Sequence, residues 1–194
     1  MTSEKEKEIL LLLFKDFSIS YNARSISGKV SMTPRGALKA LKNLEKQGFV
    51  IPKQFGRAIE YKFNFSNALA KKSIELFLLE EAELKHKRWR AEFGNLVDAY
   101  ILILFGSTVR KEKGYNDIDM VAVVTKDKFH ELQKAIDKKQ ELTVKRIHVV
   151  WQSPKDMKNN LKKKEPVMLD ALKTGIVLKG QTELFEVIQS VAGS

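Results

Sequence analysis

The 194-residue sequence contains no cysteine. That absence excludes a disulfide framework, Cys-ligated zinc or iron–sulfur centres, thiol nucleophiles and covalent haem attachment. Long apolar runs are missing too. The run Ile9 to Phe14 follows alternating Glu and Lys residues, and both it and Ala99 to Phe105 fall far short of the ~20 residues that cross a bilayer. Neither a membrane span nor a signal peptide is expected, and a cytoplasmic location with no membrane partner is the default expectation. No repeat or low-complexity segment is present. Acidic residues are the remaining shortage: 24 Asp and Glu face 35 Lys and Arg, for a net charge of +11. Such an excess suits a polyanionic partner, nucleic acid or nucleotide phosphates before anionic lipid. With 43% hydrophobic residues the chain has enough apolar material for a core.

What is present divides in two. Ser3 and Glu6 have capping-box spacing, and Ile9, Leu10, Leu13 and Phe17 recur at helical intervals, so a first helix is expected over roughly 4–16. Residues 22–30 read as a short second helix. Thr33-Pro34 places an N-cap before a proline at the first helical position, opening a third helix that ends near Gln47 and Gly48. Alternation through Phe49-Val50-Ile51 and Ile59-Glu60-Tyr61-Lys62-Phe63 around Gly56-Arg57 predicts a hairpin. Residues 66–97 are expected to be a helical linker between domains at 1–65 and 98–194. In the second domain, strands are expected over 99–105, 117–124 and 142–151, with helices over 129–136 and 167–173. A short strand at 176–178 and a terminal helix from about 182 complete the α+β pattern.

On a helical wheel, Ala37, Leu41 and Leu44 share one side of the third helix and Arg35, Lys39, Lys42 and Lys46 the other. Residues 20–65 hold nine basic residues against two acidic ones. A helix of this kind suits the major groove of double-stranded DNA, with Arg35 near base edges and the lysines at phosphates, while Arg57 at the hairpin tip is placed to reach an adjacent groove. The alternative is a solvated basic helix in a protein-interaction or dimerisation module. The stretch Ser31-Met32-Thr33-Pro34-Arg35-Gly36-Ala37-Leu38-Lys39-Ala40-Leu41, followed by Leu44-Glu45-Lys46-Gln47-Gly48-Phe49-Val50, resembles the winged helix-turn-helix family. That resemblance implies a DNA-binding regulator over about a third of the chain. Homodimerisation is common among such regulators, although no segment here is an evident coiled coil.

In the second half, Gly106-Ser107 follows an apolar strand, Arg110 comes next, and Asp117-Ile118-Asp119 opens another strand. Residues i and i+2 of a strand project to one face, so Asp117 and Asp119 stand side by side. Two adjacent carboxylates with triphosphate oxygens make a site for Mg (or Mn). Backbone N–H groups at Gly106-Ser107 would face the phosphates and Arg110 would neutralise a departing pyrophosphate. The alternative is an N-capping serine and a chance Asp-x-Asp at a solvated strand entrance.

The pattern Phe105-Gly106-Ser107-Thr108-Val109-Arg110 with Asn116-Asp117-Ile118-Asp119-Met120 resembles the minimal nucleotidyltransferases of the DNA polymerase beta superfamily. The stretch Gly175-Ile176-Val177-Leu178-Lys179-Gly180 is similar to an ending common in such domains. The resemblance implies a mixed-sheet nucleotidyltransferase-like domain that binds a nucleoside triphosphate, with Asp117 and Asp119 as catalytic metal ligands and Gly106, Ser107 and Arg110 at the nucleotide. It also implies a third carboxylate on a later strand. The matching stretch, 143–151, contains no Asp or Glu; His148 aligns with the missing acid. Three readings of His148 stay open: a replacement general base, a ligand-binding residue in a degenerate site, or a strand histidine paired with a neighbour.

Two functions follow. The chain is a DNA-binding regulator whose second domain has lost turnover, or it is an active nucleotidyltransferase that modifies a hydroxyl acceptor such as a partner protein, as related antitoxin domains do. The basic run Lys85-His86-Lys87-Arg88-Trp89-Arg90 is either a solvated helix face with Trp89 turned inward, or a surface that extends DNA contacts or approaches a bound triphosphate.

Overall fold

The computed structural model, which describes residues 2–96, 98–110 and 114–192, shows an α+β chain with two separate sheets. It divides into two compact units, 2–77 and 78–192. The division falls inside a helix of the expected linker, so the segment 66–97 is shared between the units instead of standing apart. Its far boundary, at residue 97, lies outside the described residues. No described helix is long and apolar enough to cross a membrane.

The first unit contains α1 (Glu4–Lys15), the two-residue β1 (Tyr21–Asn22), α2 (Ala23–Lys29), α3 (Pro34–Lys46), β2 (Val50–Phe55), β3 (Ala58–Phe63) and the start of α4 (Ala68–Glu80). Local signals set the helix ends. Ser3 and Glu6 form the expected capping box, Asn22 and Ser25 form a second, and the Thr33 side chain accepts the Gly36 N–H ahead of Pro34. The sheet order β1-β3-β2 is antiparallel throughout. The short β1, absent from the expected elements, pairs Tyr21 with Tyr61. The Tyr21 hydroxyl donates to the Asp16 carboxylate, and burial together with that anion pushes the Tyr21 phenol well above its ordinary value. Ile9, Leu10, Leu13 and Phe14 of α1 pack in the core with Leu41, Leu44, Tyr61 and Phe63 buried around them.

Glu6 joins α1 to α3. Its carboxylate accepts the Ser3 N–H at 2.7 Å and the Asn43 side-chain amide at 2.6 Å. Burial raises the Glu6 pKa, but the hydrogen bonds from Asn43 and Ser3 outweigh it, leaving the group below its ordinary value of 4.5. The native state therefore favours the carboxylate. Glu6 stabilises the first unit fully above pH 4.5, and that contribution is lost as pH falls through the depressed native pKa. Glu6→Gln, which sets an amide N–H against one of these donors, is expected to cost about 1–3 kcal/mol at neutral pH and to flatten the acid limb of the stability profile. Urea unfolding followed by circular dichroism checks this. Trp89 and Trp151 both lie in the second unit, so their fluorescence provides an internal reference.

The second unit begins with the end of α4, which passes into a π-helical turn, Glu81–Lys85, and breaks at His86 before α5 (Lys87–Phe93). Sequence periodicity alone predicts one continuous helix here. Then follow β4 (Ile101–Phe105), α6 (Ser107–Arg110), β5 (Asp117–Val123), α7 (Phe129–Glu141), β6 (Arg146–Gln152), α8 (Pro154–Lys162), α9 (Pro166–Thr174), β7 (Ile176–Lys179) and α10 (Gln181–Ala192).

The sheet order is β6-β5-β4-β7 and the sheet is mixed: β5 and β6 run parallel, whereas β4 is antiparallel to both β5 and β7. One face carries Leu102, Leu104, Met120, Ala122, Ile176 and Leu178 against Trp89, Phe93, Leu132 and Ile136. By alternation, Ile103, Val121 and Val177 point to the other face, which α8, α9 and α10 cover.

Two differences from the expected elements have local causes. Residues 142–145 alternate apolar and polar like a strand, yet Leu142 is largely and Val144 fully exposed. The α7 helix runs on to Glu141 instead, and the Gln140 side chain latches the turn. Its amide donates to the Thr143 and Lys145 carbonyls, both at 3.2 Å, and its oxygen accepts the Ile147 N–H at 2.7 Å. The unexpected α8 has a sequence signal that is clear in retrospect. Ser153-Pro154 precedes Asp156 in a capping box, and Met157 and Leu161 are buried one turn apart.

Candidate functional site

The sheet of the second unit gathers the residues singled out above. In β5, Ile118 is buried, Asp117 is exposed and Asp119 lies between. The two carboxylates therefore share the solvated side at the strand's entrance while Ile118 anchors it in the core. On the β4 side, Phe105 pairs with Asp119, which sets the following Gly106 against the carboxylate. Gly106 has φ +77°, and a Cβ there would lie 2.5 Å from Asp119 Oδ2. The left-handed turn and the close approach both require glycine. Ser107 opens the single turn of α6, and the buried Thr108 hydroxyl donates to the Asp117 carbonyl at 2.7 Å, tying that turn to the start of β5.

On the other side, β6 runs parallel to β5 with Asp117 opposite Arg146 and Asp119 opposite His148. His148 is more than half exposed, and its Nδ1 stands 3.4 Å from Asp119 Oδ1. The position aligned with the missing acid is thus in contact with the Asp-x-Asp pair. All three readings of His148 accommodate this contact with Asp119.

Arg110 is half-exposed, with its guanidinium 4.0 Å from the Asp170 carboxylate on α9. Asp170 and Arg146 are charged groups at this site that sequence reasoning missed. Arg146 had a signal, being two residues before His148 on the same strand face. Asp170 had none, since only tertiary packing brings α9 to this end of the sheet.

A divalent cation can be tested against these residues. Among the described residues, no three His, Asp or Glu side chains form a group able to hold a metal ion. Magnesium retains several waters and is commonly bound by one or two carboxylates together with substrate phosphates. Asp117 and Asp119 fit that smaller requirement. The space that a Gly106 Cβ would fill keeps the backbone turn against Asp119.

In the first unit, α3 buries Ala37, Leu41 and Leu44 and exposes Arg35, Lys39, Lys42 and Lys46. These four cations share one face of the helix, as the wheel requires. They are not equivalent, because the Lys42 ammonium is paired with Glu45 at 2.8 Å. Hydrogen bonding to Glu45 pushes the Lys42 pKa up. Arg57 is exposed at the Gly56-Arg57 tip of the β2–β3 hairpin, where Gly56 takes a positive φ.

No protein-family model matches the chain, and neither a curated protein nor a solved structure matches it.

Proposed function

We propose that the chain is a winged-helix DNA-binding regulator whose second unit is a polymerase-beta-type nucleotidyltransferase domain that retains nucleoside triphosphate and Mg²⁺ but has lost turnover. The observation that carries this reading is the meeting of Gly106, Asp119 and His148 at one end of the sheet. The exposed cationic face of α3 and Arg57 at the hairpin tip support the DNA-binding half.

In this reading Asp117 and Asp119 hold the metal, the Gly106-Ser107 turn faces the phosphates, and Arg110 balances their charge. The metal supplies charge neutralisation at the phosphates. Asp119 stands between two neighbours, the glycine turn and His148. The strand that the family resemblance assigns to a third acid presents Arg146 and His148 on this face instead of a carboxylate. An imidazole suits Mg²⁺ poorly compared with a carboxylate, which favours binding without transfer. A second reading, active transfer to a hydroxyl acceptor such as a partner protein, draws on the same histidine. Imidazole is a general base near neutral pH, and this one stands beside Asp119.

One experiment separates these. Wild type and Asp117→Asn/Asp119→Asn are incubated with α-labelled nucleoside triphosphates, Mg²⁺ or Mn²⁺ and native lysate. In parallel, nucleotide binding is measured by calorimetry. The expected result is Mg²⁺-dependent ATP binding that the double variant loses, with no label transferred. Transfer that depends on the two aspartates would establish the enzyme instead. Absence of any ATP binding in wild type would sink both readings of this unit.

A further inference from the structure

The basic run at 85–90 separates into two parts. Trp89 is buried, stacked on Phe93 and flanked edge-on by Tyr115. Arg90 is structural: it pairs with Glu83 at 2.7 Å and donates to the Leu178 carbonyl of β7 at 2.5 Å. The other cations, Lys85, Lys87 and Arg88, are exposed. They line an open cleft of about 350 Å³ whose opposite wall is Thr108 and Val109 of α6.

The break at His86 makes this possible. Four successive residues of an unbroken α-helix point around about 300° of its circumference and would not line one cleft. Here the π-helical turn ends at Lys85, His86 leaves helical geometry (φ −128°, ψ 37°), and α5 starts at Lys87. The interruption turns residues 85–88 toward α6. Such π-helical insertions occur often at functional sites.

The electrostatics are one-sided. Three Lys and Arg residues and His86 line the cleft, and among the described residues no Asp or Glu does. Arg88 lies over the Trp89 ring, 4.7 Å from its centroid, and pairs only loosely with Glu92, at 3.8 Å. Low-dielectric walls around charges of one sign concentrate counter-ions of the other. The cleft meets the candidate site through α6. Its α6 wall begins one residue after Ser107, and Thr108 is the residue bonded to the Asp117 carbonyl. Bounded by the π-helical turn, α5 and α6, the cleft has the size of a small-ligand site.

We infer that this cleft is an oligophosphate subsite, in which Lys85, Lys87 and Arg88 hold the terminal phosphates of a nucleoside triphosphate seated at Gly106-Ser107. The assignment to a nucleotide rests on the function proposed above, whereas the cleft's affinity for oligophosphate does not. Full-length protein is titrated calorimetrically, without Mg²⁺, with inorganic tripolyphosphate, ATP and AMP. Trp89 fluorescence in a Trp151→Phe background reports where the ligand sits, because the basic faces of the first unit contain no tryptophan.

Tripolyphosphate and ATP are expected to perturb Trp89 and AMP to leave it unchanged. Lys85→Gln/Lys87→Gln is expected to weaken tripolyphosphate by at least about tenfold, the scale of one lost charge-assisted contact, while Arg35→Ala/Lys39→Ala leaves the Trp89 response intact. Equal affinity in the lysine variant, or a silent Trp89, overturns the inference. A single-stranded oligonucleotide that perturbs Trp89 where tripolyphosphate does not would overturn it in favour of a nucleic-acid strand. If wild type fails to bind ATP even with Mg²⁺, the nucleotide reading fails, and the tripolyphosphate titrations decide the cleft separately.

Discussion

Raising salt from 50 to 200 mM is expected to weaken duplex DNA binding by roughly 10²-fold. The estimate follows from counterion release, in which each phosphate neutralised contributes about 0.9 to the slope of log K against log salt. Arg35, Lys39 and Lys46 on the exposed side of α3, with Arg57 at the hairpin tip, are the four cations that the proposed function assigns to such contacts. Lys42 stands on the same face but already pairs with Glu45 at 2.8 Å. A phosphate there must displace or tolerate a carboxylate. Lys39→Ala is therefore expected to lower the slope by about 0.9, and Lys42→Ala by less than half as much. Arg35→Ala is expected to cost about 1–3 kcal/mol at a preferred site and to relax base preference, because arginine pairs bidentately with guanine. Fluorescence anisotropy across a salt series measures all three on one labelled duplex. A slope near zero for wild type would rule out a phosphate-contacting face on this unit.

The second large effect distinguishes two glycines that look alike in sequence. Gly180 has φ +82°, and a Cβ there would lie 2.2 Å from the Tyr100 carbonyl oxygen and 2.8 Å from Ile101 Cα. Both are backbone atoms at the start of β4, which pairs with β7. Gly180→Ala must therefore separate the end of β7 from β4 as well as adopt a left-handed conformation costing roughly 1–2 kcal/mol. A total loss of about 3–4 kcal/mol is expected for the second unit, in the range reserved for backbone strain combined with core disruption. Gly106→Ala meets the same conformational cost, but its Cβ contacts the Asp119 carboxylate, the end of a side chain that can rotate away. Its stability loss is expected to stay near 1–2 kcal/mol, while Asp119 leaves its place between the turn and His148. Gly180→Ala is thus expected to remove structure, and Gly106→Ala to leave most of it while abolishing the Mg²⁺-dependent ATP binding that the proposed function calls for. Thermal unfolding by tryptophan fluorescence together with ATP calorimetry reads both. Equal loss of stability in the two variants would contradict the assigned roles.

Elements whose information is contiguous were legible from the chain alone. The boundaries of α1 and α3 follow from Ser3-x-x-Glu6 and Thr33-Pro34, because caps satisfy N–H groups within three residues of themselves. The alternation of Asp117, Ile118 and Asp119 likewise follows from the strand's period of two. The end of α7 is not legible in the sequence, because the turn at 142–145 depends on a side chain, Gln140, that bonds across it and resembles any other helical glutamine in sequence. The break at His86 was equally hidden, since the apolar spacing from Ala82 to Trp89 and Phe93 also suits an uninterrupted helix.

By itself the sequence determined the charge imbalance, the absence of thiol chemistry, the α+β pattern and the pairing of two carboxylates on one strand face. Tertiary structure decided which distant groups meet them. The parallel register of β5 on β6 sets His148 beside Asp119, α9 brings Asp170 to Arg110, and the helix break brings Lys85, Lys87 and Arg88 to α6. Local rules act over three or four residues through caps and periodicity. Register and helix packing are settled by burying both faces of the sheet at once, a condition that no short window of sequence contains.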